Sequence, residues 1–79
     1  MRVEVLYFAS LRDAAGTSAE SVVSDAPNLR ALYEELRAKH GFAFGAERLR
    51  ASMDGAFADW DTPLRDGAEV AFLPPVSGG

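Results

Sequence analysis

The sequence predicts an α+β fold, in which one main helix packs on one face of a mixed sheet of about five strands. The first observation is length, because 79 residues allow one domain with a single small core. The second is that only one long segment has the spacing of an amphipathic helix. The third is that several short segments alternate in hydropathy or are rich in β-branched and aromatic residues, as strands are.

The first half of the sheet precedes the main helix. Residues 3–9, Val-Glu-Val-Leu-Tyr-Phe-Ala, are rich in strand-forming types and predict the first strand. Residues 10–18 have room for one helical turn, which Gly16 closes because glycine readily adopts the left-handed conformation. Residues 19–24 contain two adjacent valines and form a weaker second strand.

The main helix is predicted to begin after Asn28 and to end at Gly41. The Asn28 side chain can accept a hydrogen bond from an amide of the first turn that has no partner within the helix. Gly41 follows two basic residues and suits a left-handed helix cap. Four apolar residues share one stripe at the spacing i, i+3, i+4 and i+7, namely Leu29, Leu32, Tyr33 and Leu36. This stripe is expected to pack on the sheet.

Three further strands follow the helix. Residues 48–53 alternate between apolar and polar types, and the Asp-Gly pair after them favours a type I′ hairpin turn. Residues 56–60 form the returning strand of that hairpin. Residues 69–73 form the last strand, which two consecutive prolines then stop.

This order of elements is that of a ubiquitin-like β-grasp fold, or else of a related two-layer sandwich. In the β-grasp arrangement the first strand lies centrally beside the last. We therefore predict a β-grasp domain over residues 1–75 and a flexible Gly-Gly tail over residues 76–79.

Composition excludes several classes of function. The chain contains no cysteine, which rules out a disulfide scaffold and a thiolate nucleophile or metal ligand. The net charge of −4, without a run of basic residues, argues against a nucleic-acid partner. No metal-ligand spacing is found. No apolar run approaches the roughly 20 residues of a membrane span, and the first residues do not resemble a signal peptide, so a cytoplasmic protein without a membrane partner is expected.

The C-terminal end carries the strongest chemical signal. Two glycines without a Cβ can pass a narrow channel into the active site of another protein, which leaves the α-carboxylate of Gly79 as the reactive group. A free carboxylate is a poor electrophile, and adenylation would convert it into a reactive mixed anhydride. The sequence has neither a phosphate-binding loop nor a dinucleotide fingerprint. The chain is therefore expected to bind no cofactor itself and to be the substrate of an activating protein that uses ATP.

The segment from residue 64 to residue 79, Leu-Arg-Asp-Gly-Ala-Glu-Val-Ala-Phe-Leu-Pro-Pro-Val-Ser-Gly-Gly, resembles the C-terminal signature of molybdopterin synthase small subunits, which are ubiquitin-like sulfur carriers. The opening Val-Leu-Tyr-Phe-Ala-Ser-Leu-Arg, the single helix and the length resemble that family too. Two positions depart mildly from its pattern: Leu73 stands where a second Phe is common, and Ser77 where Thr is common.

The resemblance implies a sequence of partners. An E1-like adenylyltransferase would activate Gly79, and Gly78 would accompany it into that active site. A sulfur donor, such as a cysteine desulfurase or a rhodanese-like protein, would convert the terminus into a thiocarboxylate. The large synthase subunit, in a heterotetramer with this chain, would use that sulfur to convert cyclic pyranopterin monophosphate into molybdopterin. Catalytic residues are expected on the large subunit, so this chain donates sulfur and its status as an enzyme stays open.

Two other functions stay open. One is a sulfur carrier that serves thiazole, cysteine or tRNA thiolation, and the other is a ubiquitin-like modifier joined to lysines through an amide. The chain has a single lysine, Lys39, so a modifier that polymerises through its own lysines would have one acceptor.

The strands predict a partner surface. If the helix covers one side of the sheet, the period of two leaves a second apolar side, which consists of Leu6, Phe8, Phe57 and Leu73. The alternative is that long connections fold over this side as ordinary core. The resemblance places the partner contacts at Phe8, Arg12, Phe57, Leu73, Pro74, Pro75, Val76 and Ser77.

Two weaker candidates have a structural interpretation. His40, at the end of the main helix, is expected to complement the helix dipole rather than to catalyse. Trp60, between Asp59 and Asp61, is expected at a solvated hairpin end.

Overall fold

The computed structural model describes residues 1–75, so the predicted tail over residues 76–79 lies outside the described part. The elements follow in the order β1 (Arg2–Tyr7), α1 (Ala9–Ala15), β2 (Ala19–Val23), α2 (Leu29–His40), a 3₁₀ turn (Ala46–Arg48), β3 (Arg50–Met53), β4 (Ala56–Ala58) and β5 (Glu69–Leu73). None of the helices in residues 1–75 is both long enough and apolar enough to cross a membrane.

The five strands form one sheet in the order β2-β1-β5-β3-β4. β1 and β5 are parallel, whereas the β1–β2, β3–β5 and β3–β4 pairs are antiparallel. The first strand thus lies beside the last at the centre of a mixed sheet, which confirms the predicted α+β class and the β-grasp arrangement. β5, hydrogen-bonded on both sides, therefore ends at Leu73 in the middle of the sheet.

The core fills one side of the sheet. Val5 pairs with Val70 and Tyr7 with Phe72 across β1 and β5, and all four side chains are buried. The helix stripe completes this core, because Leu29, Leu32, Tyr33 and Leu36 are each at most 2% exposed. The predicted packing face of α2 is confirmed.

The capping residues of α2 behave as the sequence predicts. Asn28 Oδ1 accepts a hydrogen bond of 2.9 Å from the Ala31 amide, which satisfies one donor of the first turn. Gly41 has φ of 74°, the left-handed conformation that ends the helix.

The Asp54-Gly55 turn, which joins β3 and β4, has φ of 53° and 87°, the two positive values that a type I′ hairpin requires.

The hairpin end around Trp60 differs from the sequence prediction. β4 ends at Ala58, two residues early, because the Trp60 carbonyl accepts a hydrogen bond of 3.0 Å from the Arg30 amide at the start of α2. The Trp60 ring stacks on Phe72 at a centroid distance of 5.8 Å and an interplanar angle of 6°. Trp60 therefore packs against the core, and its assignment to a solvated hairpin end is wrong.

Two smaller boundaries also differ. α1 spans seven residues and so makes two turns instead of one, although Gly16 closes it as predicted, with φ of 75°. β3 begins at Arg50 instead of residue 48, because residues 46–48 form the 3₁₀ turn. This turn buries Ala46 and leaves Arg48 exposed just before the start of β3.

Candidate functional site

The C-terminal end of β5 positions the predicted reactive tail. β5 is hydrogen-bonded on both sides, to β1 and to β3, and its last residue, Leu73, pairs with Arg50. Pro74 is half-buried and Pro75 is exposed. The predicted site residues Val76, Ser77, Gly78 and Gly79 lie outside the described residues. The centre of the sheet therefore fixes the position of Leu73, three residues before Val76 in the sequence.

Apolar side chains lie on the side of the sheet opposite the core. Phe57 is 66% exposed and Phe8 is 43% exposed, while Leu6 and Leu73 are half-buried. Since Ser52 pairs with Phe57 and Arg50 pairs with Leu73, both apolar residues point away from α2. We call Leu6, Phe8, Phe57 and Leu73 the open face. The alternative, that connecting loops bury this side as core, does not hold at Phe8 and Phe57.

A groove lies on the open face at the end of β5. It has a volume of about 520 Å³ and is lined by Arg48, Arg50, Phe57, Leu73, Pro74 and Pro75. We call it the β5-end groove. Four of the predicted partner residues thus line one concavity, next to the point at which the described chain ends. Their partner-binding role stays a prediction.

Arg12 and Phe8 are joined through α1. The Phe8 carbonyl accepts hydrogen bonds from the amides of Leu11 and Arg12, at 3.1 and 3.4 Å, so Arg12 lies one helical turn after Phe8. Leu11 anchors the helix in the core, whereas the Arg12 side chain is exposed. The geometry makes both predicted residues accessible to a partner.

A polar cluster that the sequence does not predict lies on the side of the sheet that faces the core. Glu20 Oε1 accepts a hydrogen bond of 2.7 Å from the Tyr7 hydroxyl and lies 2.9 Å from His40 Nε2. Glu20 Oε2 accepts a hydrogen bond of 2.5 Å from Lys39 Nζ. We call Tyr7, Glu20, Lys39 and His40 the Glu20 cluster. His40 therefore binds a specific carboxylate, and its interpretation as a simple dipole partner was incomplete.

The hydrogen bonds of the Glu20 cluster set its protonation. Partial burial raises the pKa of Glu20, but the hydrogen bonds from Lys39, Tyr7 and His40 outweigh this effect and lower the pKa to about 2. Burial, together with the Glu20 carboxylate, raises the pKa of the Tyr7 hydroxyl well above its usual range. Glu20 is thus an anion at neutral pH. Its period-two position in β2, opposite Val5, was the one signal that could have placed it on the core side.

No metal centre is formed by the described residues. In residues 1–75 no three His, Cys, Asp or Glu side chains come together as possible ligands. The arrangement that remains is a rigid strand that ends beside an open apolar groove with two arginines.

Comparisons with known proteins agree with this arrangement. The model of the ThiS family matches residues 5–79 of the chain. The molybdopterin synthase sulfur carrier subunit of Escherichia coli strain K12 is 39% identical over 80 residues, which cover 98% of this chain and 99% of that protein.

Solved structures give the same picture. SAMP1 from Haloferax volcanii superposes with a TM-score of 0.82 at 26% identity, over the full length of both chains. A chain in the protein-protein complex of subunits 1 and 2 of molybdopterin-converting factor from Helicobacter pylori superposes with a TM-score of 0.69 at 29% identity, again over both full lengths. The chain belongs to the ThiS family, and its homologues include molybdopterin synthase sulfur carrier subunits.

Proposed function

We propose that this chain is the sulfur carrier subunit of a molybdopterin synthase. The observation that carries the proposal is the placement of the C-terminal end: the central strand β5 ends at Leu73 beside an open apolar groove, six residues before Gly79. The full-length identity of 39% to the Escherichia coli carrier subunit supports the same function. The folded domain provides a surface that a partner can bind, and the terminus provides the reactive group.

The proposed chemistry takes place at the carboxylate of Gly79. An E1-like adenylyltransferase would use ATP to form an acyl-adenylate and pyrophosphate. The terminal sulfur of a persulfide on a donor such as a cysteine desulfurase or a rhodanese-like protein would displace AMP and form an acyl disulfide. A thiol would then reduce the S–S bond and release a thiocarboxylate on Gly79. The large subunit would then transfer this sulfur to cyclic pyranopterin monophosphate. This chain binds no cofactor of its own in the proposal, and because activation consumes ATP we place it in the cytoplasm.

The proposed partner surface is the open face with its borders. Exposed aromatic side chains such as Phe8 and Phe57 are typical anchors of protein interfaces, and Arg12 would lie at the rim. Leu73, Pro74 and Pro75 connect this surface to the tail, so a protein that binds the terminus would also cover the β5-end groove. The Helicobacter pylori complex of subunits 1 and 2 of molybdopterin-converting factor supports a large-subunit partner. We propose a heterotetramer in which the last four residues enter the large subunit.

A second candidate is a protein modifier. It is favoured by the TM-score of 0.82 to SAMP1, a protein that another solved structure names small archaeal modifier protein 1. A modifier would use the same activated Gly79, but an amine would displace AMP and form an amide.

Co-purification distinguishes these functions. We expect the tagged chain, expressed in the organism that encodes it, to co-purify with the large synthase subunit as a non-covalent complex. Intact-mass analysis should show one sulfur in place of one oxygen and no isopeptide adduct. Covalent ladders of heavier proteins, without a bound large subunit, would contradict the proposal and favour the modifier. A sulfur-loaded chain that does not bind the large subunit would instead favour a carrier of another thiolation pathway.

A further inference from the structure

The basic side chains of residues 1–75 fall into two groups. The first group forms ion pairs within this part of the chain and contains Arg30, Arg37, Lys39, His40 and Arg65. The second group has no carboxylate within 4.0 Å in the same range and contains Arg2, Arg12, Arg48 and Arg50. Because the protein has a net charge of −4, exposed arginines are expected to form ion pairs with acidic side chains of the same chain. Arg48 and Arg50 are instead found together at one groove.

Arg48 and Arg50 are held on aromatic rings. The Arg50 guanidinium carbon lies 4.8 Å from the centroid of Phe57, and that of Arg48 lies 5.1 Å from the centroid of Phe44. Stacking of this kind orients a guanidinium and leaves its N–H donors, which lie in its plane, available to a planar anion. Neither guanidinium donates a hydrogen bond within residues 1–75.

The neighbouring acidic residues do not neutralise the groove. Glu47 precedes Arg48, but its carboxylate folds back over Gly45. Asp59 lines an adjoining, smaller cavity that shares Arg50 and Phe57 with the groove, and no ion pair forms between Asp59 and Arg50. The β5-end groove therefore combines two preoriented cations with the exposed Phe57 and the half-buried Leu73.

We propose that Arg48 and Arg50 bind acidic side chains of the large synthase subunit, which covers the β5-end groove. The proposal rests on the proposed function, and it specifies the chemistry of the partner surface: carboxylates that flank an apolar patch. A protein fits better than a free phosphate, because a phosphate would pair with the arginines but leave Phe57 and Leu73 in water. Because both arginines are exposed, they attract an approaching acidic partner through solvent. We therefore expect them to raise the rate of association.

The test compares association rates with the large synthase subunit. The variant Arg48→Gln/Arg50→Gln removes two charges from the groove, and we expect it to associate about tenfold more slowly at low salt, with a smaller difference at high salt. Arg2→Gln is the matched control, because Arg2 is also exposed and unpaired in residues 1–75 but lies at the opposite end of β1 from Phe8. It should associate nearly as fast as the wild type. Thermal unfolding should be unchanged in both variants.

A second variant separates charge from geometry. Arg48→Lys/Arg50→Lys keeps both charges but loses the planar fork and its stacking, so we expect a nearly unchanged association rate and faster dissociation. A Gln variant with the wild-type association rate and salt dependence would overturn the proposal. Saturable binding of inorganic phosphate at these arginines, combined with unaltered association, would reassign them to a phosphate site. Failure of the wild-type chain to bind the large subunit would instead overturn the proposed function.

Discussion

The hydroxyl of Tyr7, the last residue of β1, donates a hydrogen bond of 2.7 Å to Glu20 of β2. Tyr7 is 1% exposed, so its hydroxyl has few alternatives to this acceptor. Lys39 and His40 approach the same carboxylate from α2. One anion therefore satisfies three donors from two different elements.

Glu20 is expected to make stability depend on acid pH. Its pKa is about 2 in the folded protein and 4.5 as its ordinary value, so the folded state favours the ionised form. Because the ionised form is favoured only in the folded state, this stabilisation is fully present above pH 4.5 and is lost as the pH falls toward 2. Thermal unfolding between pH 7 and pH 2 should show the loss.

Glu20→Gln should lower stability at pH 7 and flatten this acid dependence, because the amide keeps a carbonyl acceptor but carries no charge. Glu4→Gln is the matched control, since Glu4 is exposed on the opposite side of β1 and lies outside the Glu20 cluster. An equal acid dependence in wild type and Glu20→Gln would contradict the assignment.

Leu36 tests the packing of α2 on the sheet. The side chain is 2% exposed, and Leu36→Ala should cost about 2 to 5 kcal/mol in the free energy of unfolding through lost burial and a cavity. Val23→Ala removes apolar atoms at a site that is 75% exposed, and it should change stability little. Denaturant unfolding measures both. Equal effects of the two substitutions would show that the helix face is assigned wrongly.

Leu73 tests the open face as a binding surface. Leu73→Arg should leave the isolated domain folded, since the guanidinium can reach water from this half-buried position. Binding should weaken strongly, because the large subunit would have to desolvate an uncompensated charge. Thermal unfolding and affinity are measured on the same sample. Normal affinity would contradict the interface, and unfolding would instead favour a role for Leu73 in the core.

Local patterns sufficed for most of the fold. The Asn28 cap, the Gly41 end and the Asp54-Gly55 turn depend on residues close together in sequence, and all three are confirmed. Trp60 was misassigned because its environment is made by α2 and β5, which are distant along the chain. The residues next to Trp60 in the sequence therefore give no information on its contacts with Tyr33 and Phe72.

The same reason explains what was missed at the polar sites. Glu20 meets its donors across 13 to 20 positions of sequence, so alternation alone could give its side of the sheet but not its partners. The stacking of Arg50 on Phe57 needs the β3–β4 register, which the hairpin turn determines. The exposure of Phe8 and Phe57 depends on whether loops cover the sheet, and the sequence left both alternatives open.

Sulfur transfer by a chain that lacks Gly79 decides whether the terminal glycine carries the sulfur. The hydrophobic core that residues 1–75 form contains no residue after Phe72, so we expect the deletion variant to unfold at the same temperature as the full chain. With the E1-like enzyme, ATP, a sulfur donor and the large subunit, the full chain should gain a thiocarboxylate and convert cyclic pyranopterin monophosphate into molybdopterin. The deletion variant should form no molybdopterin. Undiminished molybdopterin formation by the folded deletion variant would contradict the assignment of Gly79 as the sulfur-bearing residue.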